Sequence, residues 1–126
     1  MAPLLDGQTI MVTGAARGLG AAFSLAIAAA GATVLALGRD SVALDALLTA
    51  LPGSGHSKIV GDVCDTSALA SGLEGKIVHA VINNAGIAVT APLAGGDMTD
   101  AQRVIDINLM GALYVCLLYT SDAADE

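Results

Sequence analysis

Aromatic and basic side chains are scarce in this chain of 126 residues. Aromatic residues make up 2% of it and tryptophan is absent, so a core must come from aliphatic side chains within a composition that is 55% hydrophobic. Lys and Arg number 5 against 12 Asp and Glu, which leaves a formal net charge of −7. The basic residues are scattered, and nucleic-acid binding needs them clustered. We therefore expect no nucleic-acid partner.

Cysteine is also scarce. Cys64 and Cys116 do not stand at metal-ligand spacing, so we expect no metal site, reduced thiols and a cytoplasmic protein. The N-terminus lacks the basic segment of a secretory signal. The segment from Leu19 to Gly38 is uncharged and long enough to cross a bilayer, but Gly31 divides it. We interpret it as a buried helix, a turn and a buried strand, and expect no membrane partner.

Strand patterns and helix patterns alternate along the rest of the chain. Strands are predicted at 8–13, 33–37, 57–61 and 78–82, and helices at 19–30, 41–51 and 67–73, with another opening near 99. Ser41 is the predicted N-cap of the second helix, and Thr99 or Asp100 that of the last. Gly31 is expected just past the end of the first helix. The alternation predicts an α/β, Rossmann-type, doubly wound parallel sheet of four strands, in the order 3-2-1-4 and incomplete.

A glycine cluster follows the first strand and opens an uncharged helix. Gly14 permits a tight turn, Gly18 lets backbone N–H groups approach a pyrophosphate, and Gly20 allows close packing of the helix. The spacing alone fits any glycine-rich turn, but its place between a strand and a helix favours dinucleotide binding. The loop residues predicted to bind the cofactor are Gly14, Ala16, Arg17, Gly18, Leu19 and Gly20.

Two motifs together carry a family resemblance. They are Thr13-Gly-x-x-x-Gly18-x-Gly20 and, after the fourth predicted strand, Asn83-Asn84-Ala85-Gly86. The chain resembles the short-chain dehydrogenase/reductase family, in register from residue 4 to about 115. The resemblance implies an NAD(P)-dependent oxidoreductase. The intact parent would transfer a hydride between nicotinamide and a small carbonyl or alcohol substrate, and would be a homo-oligomer.

The end of the second strand indicates which nicotinamide cofactor is used. An acidic residue there binds the ribose 2′-hydroxyl of NAD, whereas a basic residue accommodates the 2′-phosphate of NADP. Gly38 stands where the acid is expected, Arg39 follows it, and Arg17 matches a second basic position of NADP-preferring relatives. A guanidinium suits a phosphate. We expect NADP, with NAD as the alternative because Asp40 could turn inward; Arg39 could also be a solvated charge.

The resemblance assigns five more residues to the cofactor. Asp62 would reach the adenine amino group, and the backbone of Val63 would cap the ring edge. Alternatively, Asp62 caps a turn. Residues after the fourth strand would line the adenosine ribose and the nicotinamide half, although they also suit a tight turn. These are Asn83, Ala85 and Gly86.

The catalytic set that the resemblance implies is mostly absent. Asn108 matches the family's Asn that holds a relay water, or else is a satisfied polar residue in a helix. The family's Tyr-x-x-x-Lys is missing, since Tyr114 and Tyr119 have no lysine four positions on and no lysine follows Lys76. The strand expected to carry the catalytic Ser is also missing. We therefore expect the chain to be inactive by itself.

The last residues are interpreted separately. Residues 116–126 back-translate to a transposon-end adapter used in sequencing libraries, so we expect 1–115 to be the native part of the domain. A genuine acidic tail is the alternative. For function, a non-catalytic dinucleotide-binding module is the alternative to an enzyme. A misfolded partial product is a third possibility, since the last strand would be an unpaired edge.

Overall fold

Strands and helices alternate in the computed structural model, which describes residues 2–90 and 94–124. The strands are β1 Thr9–Thr13, β2 Thr33–Gly38, β3 Ser57–Val60 and β4 Ala80–Ile82. The helices are α1 Gly18–Ala29, α2 Ser41–Ala50, α3 Thr66–Leu73 and α4 Met98–Ile105, which continues through a π-helical segment, Asp106–Gly111, into α5 Ala112–Ala124.

The four strands form one parallel sheet in the order β3-β2-β1-β4. Thr9 of β1 lies opposite Thr33 of β2, and Leu35 lies opposite Ser57 of β3. On the other side of β1, Ile10 lies opposite Ala80. The predicted α/β fold with strand order 3-2-1-4 is confirmed. Parallel strands joined by helices bring all their carboxyl ends to one edge, where ligands bind in such sheets.

Both faces of the sheet are buried by helices. Alternate residues of each strand point to opposite faces. On one face Met11, Leu35, Leu37 and Ile59 pack with α3, the π-helical segment and α5, through Leu69, Leu73, Ile107 and Val115. On the other face Val12, Val34 and Ala36 pack with α1 and α2, through Ala28, Leu44 and Leu47. The aliphatic composition is therefore what this two-faced core requires.

Two predicted helix caps are wrong, and one helix end is confirmed. Asp40 caps α2, since its carboxylate accepts from the backbone N–H of Ala43, so the cap is not Ser41. Asp97 caps α4, which begins earlier than predicted. In both helices an upstream carboxylate reaches the exposed N–H groups of the first turn as well as a hydroxyl does. Gly31 follows α1 with a φ of +102°, as predicted.

The long helix carries an apolar exposed side. From Met98 to Tyr119 it has 22 residues, and an 18-residue stretch within it has a mean hydropathy of 1.3, so the helix is long and apolar enough to cross a membrane by length and composition. Length and composition alone do not establish a membrane span, so the expectation of no membrane partner stays a prediction. The segment from Leu19 to Gly38 is α1, a turn and β2, which confirms the interpretation of that uncharged segment.

Candidate dinucleotide-binding site

The glycine loop between β1 and α1 is shaped by two constraints, backbone conformation and close packing. Gly14 and Gly18 have φ values of +62° and +52°, the left-handed region that glycine adopts without strain. A Cβ on Gly18 would meet no protein atom within 4 Å, so within the protein itself this glycine is required for its backbone conformation. A Cβ on Gly20 would collide with the carbonyl oxygen of Gly14. The start of α1 therefore packs directly on the turn.

Thr13, the last residue of β1, joins this loop to the one that follows β4. Its side-chain oxygen accepts hydrogen bonds from the backbone N–H groups of Asn84 and Ala85, each at 2.9 Å. It also donates to Oδ1 of Asn83 at 3.4 Å. Thr13 is fully buried. One hydroxyl therefore holds together the two loops that form the floor of the site.

Asn84 is a structural residue of the site that the sequence analysis did not assign. Its Nδ2 donates to the carbonyl oxygens of Thr13 and Gly14, at 3.2 and 3.3 Å. The neighbouring Asn83 instead donates to the carbonyl oxygen of Ala112 in α5, at 2.9 Å. The predicted cofactor role of Asn83 would thus have to use its backbone or its remaining hydrogen-bonding capacity. The second Asn of the Asn83-Asn84-Ala85-Gly86 motif was the sequence signal that could have indicated a role for Asn84.

A cleft opens at the carboxyl edge of the sheet, between the loops after β1, β2, β3 and β4. Six of the twelve predicted cofactor residues line it, together with apolar side chains that the sequence analysis did not single out. Its lining residues are Gly14, Leu37, Gly38, Arg39, Gly61, Asp62, Val63, Ala85, Gly86, Ile87 and Ile107. Small and apolar residues around a few polar ones suit a planar ring and its attached sugar.

The mouth of the cleft, beside the start of α2, carries charge of both signs. Ala16, Arg17, Arg39 and Asp40 line it. A terminal nitrogen of Arg17 lies 3.3 Å from one carboxylate oxygen of Asp40, whose other oxygen caps α2. The Arg17 side chain is 78% exposed, so the pair contributes about 0–1 kcal/mol and opens readily. The predicted Leu19 follows in the first turn of α1 and is exposed.

The turn after β3 supports the cleft from the other side. Oδ1 of Asp62 accepts from the backbone N–H of Cys64 at 2.9 Å, so the turn-capping alternative for Asp62 is present in the structure. Val63 is buried and packs so closely on Gly111 that a Cβ there would collide with it. The turn therefore rests on the π-helical segment, which also carries Asn108.

Both polar atoms of the Asn108 side chain form hydrogen bonds with the backbone of one residue, Ile87. Its Oδ1 accepts from the N–H of Ile87, and its Nδ2 donates to the Ile87 carbonyl oxygen, both at 2.8 Å. A Cβ on Gly86 would lie 3.3 Å from the same Oδ1. The side chain of Asn108 thus fastens the π-helical segment to the loop after β4. Its predicted catalytic role stays a prediction.

Cys64 belongs to the same junction, and its reactivity gives a test of that packing. Its Sγ donates to the carbonyl oxygen of Asp106 at 3.0 Å, and burial, followed by the nearby charge of Asp62, raises the pKa of the thiol. Alkylation requires the thiolate. In a Cys116→Ser chain, we expect iodoacetamide to alkylate Cys64 more slowly when the chain is folded than when it is unfolded in urea. We expect the midpoint of the pH dependence of this rate to lie above the ordinary thiol pKa of about 8.5.

The same pKa shift has a consequence for stability. Because the folded state favours the protonated thiol of Cys64, this stabilisation is complete below the ordinary thiol pKa. It is lost as the pH rises through the raised pKa. A midpoint of alkylation equal to that of the urea-unfolded chain would contradict the packing of Cys64 against Asp106.

The parallel sheet, the glycine loop and the cleft at its carboxyl edge define a Rossmann-type dinucleotide-binding domain. A model of the short chain dehydrogenase family matches residues 8–123. The chain belongs to this family, whose members are NAD(P)-dependent oxidoreductases. The matched range includes residues 116–123; that residues 116–126 are non-native stays a prediction.

Relatives agree with this assignment. The chain is 37% identical over 110 residues to an uncharacterized short-chain type dehydrogenase/reductase of Sinorhizobium fredii, covering 86% of this chain and 43% of the relative. It is 31% identical over 119 residues to a D-threitol dehydrogenase of Mycolicibacterium smegmatis, covering 89% and 46%. The chain thus spans less than half of these relatives.

Solved structures agree as well. A 3-oxoacyl-[acyl-carrier protein] reductase with bound NAD from Brucella melitensis superposes with a TM-score of 0.91 at 27% identity, covering 98% of this chain and 51% of that one. A serine dehydrogenase from Escherichia coli superposes with a TM-score of 0.83 at 26% identity, covering 90% and 55%. These similarities confirm the predicted family and fold.

Proposed function

We propose that this chain is the cofactor-binding part of an NADP(H)-dependent oxidoreductase. The observation that carries the preference for NADP is the pair of arginines at the mouth of the cleft. Arg39 follows Gly38 at the end of β2, and Arg17 projects from the glycine loop to the same place. An acid that would bind a 2′-hydroxyl is replaced by Gly38, whereas two guanidinium groups suit a phosphate.

The residues of the cleft fit the dinucleotide. The turn leaves open space at Gly18 for a pyrophosphate next to the N-terminus of α1, where partial positive charge and unpaired N–H groups favour an anion. Val63 and Ile107 provide apolar walls for the adenine, and Asp62 a polar group beside it. Ala85 and Gly86 would face the nicotinamide half. When bound, NADP(H) supplies or accepts the hydride.

The intact parent would reduce a carbonyl or oxidise an alcohol of a small molecule. Asn108 is the one member of the family's catalytic set that this chain contains, and its clamp on Ile87 would keep the π-helical segment in place beside the nicotinamide loop. A phenol with a pKa near 10 needs a cationic neighbour to act near neutral pH. The sequence has no Tyr-x-x-x-Lys, so this chain is proposed to bind the cofactor without turnover.

Replacing Arg39 with glutamine tests the preference for NADP. The variant is expected to bind NADPH about tenfold or more weakly, because a charge-assisted hydrogen bond contributes about 1.5–3 kcal/mol. Its affinity for NADH is expected to change less than about twofold, because NADH has no 2′-phosphate. Titration of the cofactor fluorescence with purified chain measures both affinities.

The unaltered chain is the reference for this experiment. A flat titration with both cofactors up to millimolar concentration would remove the binding proposal altogether. Equal losses of affinity for NADPH and NADH in the Arg39→Gln variant would show that Arg39 does not bind the 2′-phosphate. Turnover of any ketone by this chain would contradict the proposal that its catalytic set is incomplete.

A further inference from the structure

A third basic residue reaches the start of α2 from a distant part of the sequence. Lys58, in β3, donates through Nζ to the side-chain oxygen of Ser41 at 2.9 Å, and forms an ion pair with Asp45 one turn further along α2. Ser41 lines the mouth of the cleft with Arg17 and Arg39. Three of the 5 basic residues of the chain thus converge on this one place.

The hydroxyl of Ser41 is left with a donor to offer. A serine hydroxyl has one hydrogen and two acceptor lone pairs. Because an ammonium can only donate, Lys58 occupies one lone pair of the Ser41 oxygen. The hydrogen of the Ser41 hydroxyl must therefore point away from Nζ. The hydroxyl does not cap α2 either, since the carboxylate of Asp40 does so. The bond from Lys58 therefore orients Ser41 as a hydrogen-bond donor.

The charge of Lys58 has the right sign and location to strengthen that donor. The Lys58 side chain is 29% exposed and the Asp45 side chain 61%. A charge on a partly buried side chain is screened less by water than one on a fully exposed side chain. It polarises the hydroxyl of Ser41, and donors polarised in this way bind an anion more strongly.

We propose that Ser41 donates a hydrogen bond to the 2′-phosphate of NADP(H), and that Lys58 is a positioning residue that orients and polarises the Ser41 hydroxyl. This inference rests on the proposed function and adds to it a neutral donor and a cation outside the two arginines. The preference for NADP over NAD would then depend on the contact between Lys58 and Ser41 as well as on Arg17 and Arg39.

A competing explanation is that Lys58 only fastens α2 to β3. The chain offers a matched control. Asp45→Asn removes the ion pair of Lys58 but leaves its bond to Ser41, whereas Lys58→Met removes both and keeps the length of the side chain. If Lys58 were only a structural contact, Lys58→Met would weaken NADPH and NADH binding equally. A positioning role makes the loss specific to NADPH, and Asp45→Asn controls for the loss of the ion pair.

The experiment compares NADPH and NADH affinities of the full chain, its Ser41→Ala, Lys58→Met and Asp45→Asn variants, and the Ser41→Ala/Lys58→Met double variant. Ser41→Ala and Lys58→Met are each expected to weaken NADPH binding about threefold to tenfold, the range of one hydrogen bond. NADH affinity is expected to stay within about twofold. Asp45→Asn is expected to retain NADPH affinity. The double variant is expected to match Ser41→Ala, because coupled residues are not additive.

Each contrary result has a separate meaning. Unchanged NADPH affinity in Ser41→Ala overturns the inference while leaving the proposed function intact. Equal losses for NADPH and NADH in Lys58→Met, or equal behaviour of Asp45→Asn and Lys58→Met, overturns the positioning role of Lys58. Failure of the unaltered chain to bind either cofactor overturns the proposed function, and this inference with it.

Discussion

Gly20→Ala is expected to abolish measurable NADPH binding and to lower the free energy of unfolding by about 3 kcal/mol, at the upper end for overpacking. The physical reason is a collision between the added Cβ and the carbonyl oxygen of Gly14. The clash cannot be relieved by rotating a side chain, because the obstacle is backbone. Moving that carbonyl moves the turn whose N–H groups are proposed to hold the pyrophosphate.

Gly18→Ala is the matched control in the same loop. Its Cβ would enter open space, and its cost is the strain of φ +52°, about 1–2 kcal/mol for a residue with a side chain. Urea unfolding of both variants separates collision from strain, and NADPH titration of the alanine variant at position 20 measures the effect on binding. An alanine at position 20 that binds NADPH as tightly as the unaltered chain would contradict the close packing of α1 on the turn.

Thr13→Val is expected to lower the free energy of unfolding by about 2–4 kcal/mol. Valine has nearly the same shape, but it removes the oxygen that accepts from the N–H groups of Asn84 and Ala85. Each buried donor left without an acceptor costs about 1–3 kcal/mol. Hydrogen exchange of these amides is expected to accelerate, because the loop after β4 loses its attachment to β1.

Thr13→Ser separates the hydroxyl from the methyl group. It keeps the acceptor and loses one buried methyl group, at a cost of about 1 kcal/mol. Urea unfolding measures both variants, and NADPH titration of Thr13→Val should show weaker binding because the floor of the cleft is loosened. Equal stability of the valine and serine variants would show that the two hydrogen bonds contribute little.

The sheet and its order were predictable because their signals are local. Uninterrupted aliphatic strands indicate a sheet buried on both faces, and alternation with helices indicates parallel pairing and right-handed crossovers. Gly31 marked the end of α1 because a positive φ is needed there. The caps of α2 and α4 were harder, since Asp40 and Ser41 are both good caps and geometry selects between them.

The site was predictable in part. The glycine loop and the residues after β4 were proposed from motifs, and Asp62 and Val63 from the family resemblance. The cleft brings Gly14, Asp62, Val63, Ala85 and Gly86 together, while their roles toward the cofactor stay predictions. Asn84 was missed, because its role is to bind two carbonyl oxygens of a loop about 70 residues away, which no local pattern announces. The clamp of Asn108 on Ile87 was hidden for the same reason.

The sequence by itself determined the alternating elements, the position of the cofactor loop and the family, because hydrophobic period and glycine spacing act over a few residues. Only the tertiary structure decided how charges and polar groups are paired. It sets Arg17 against Asp40, Lys58 against Ser41, and Thr13 against the loop after β4. These pairings depend on distances between segments far apart in the chain, and those distances exist only once the sheet has formed.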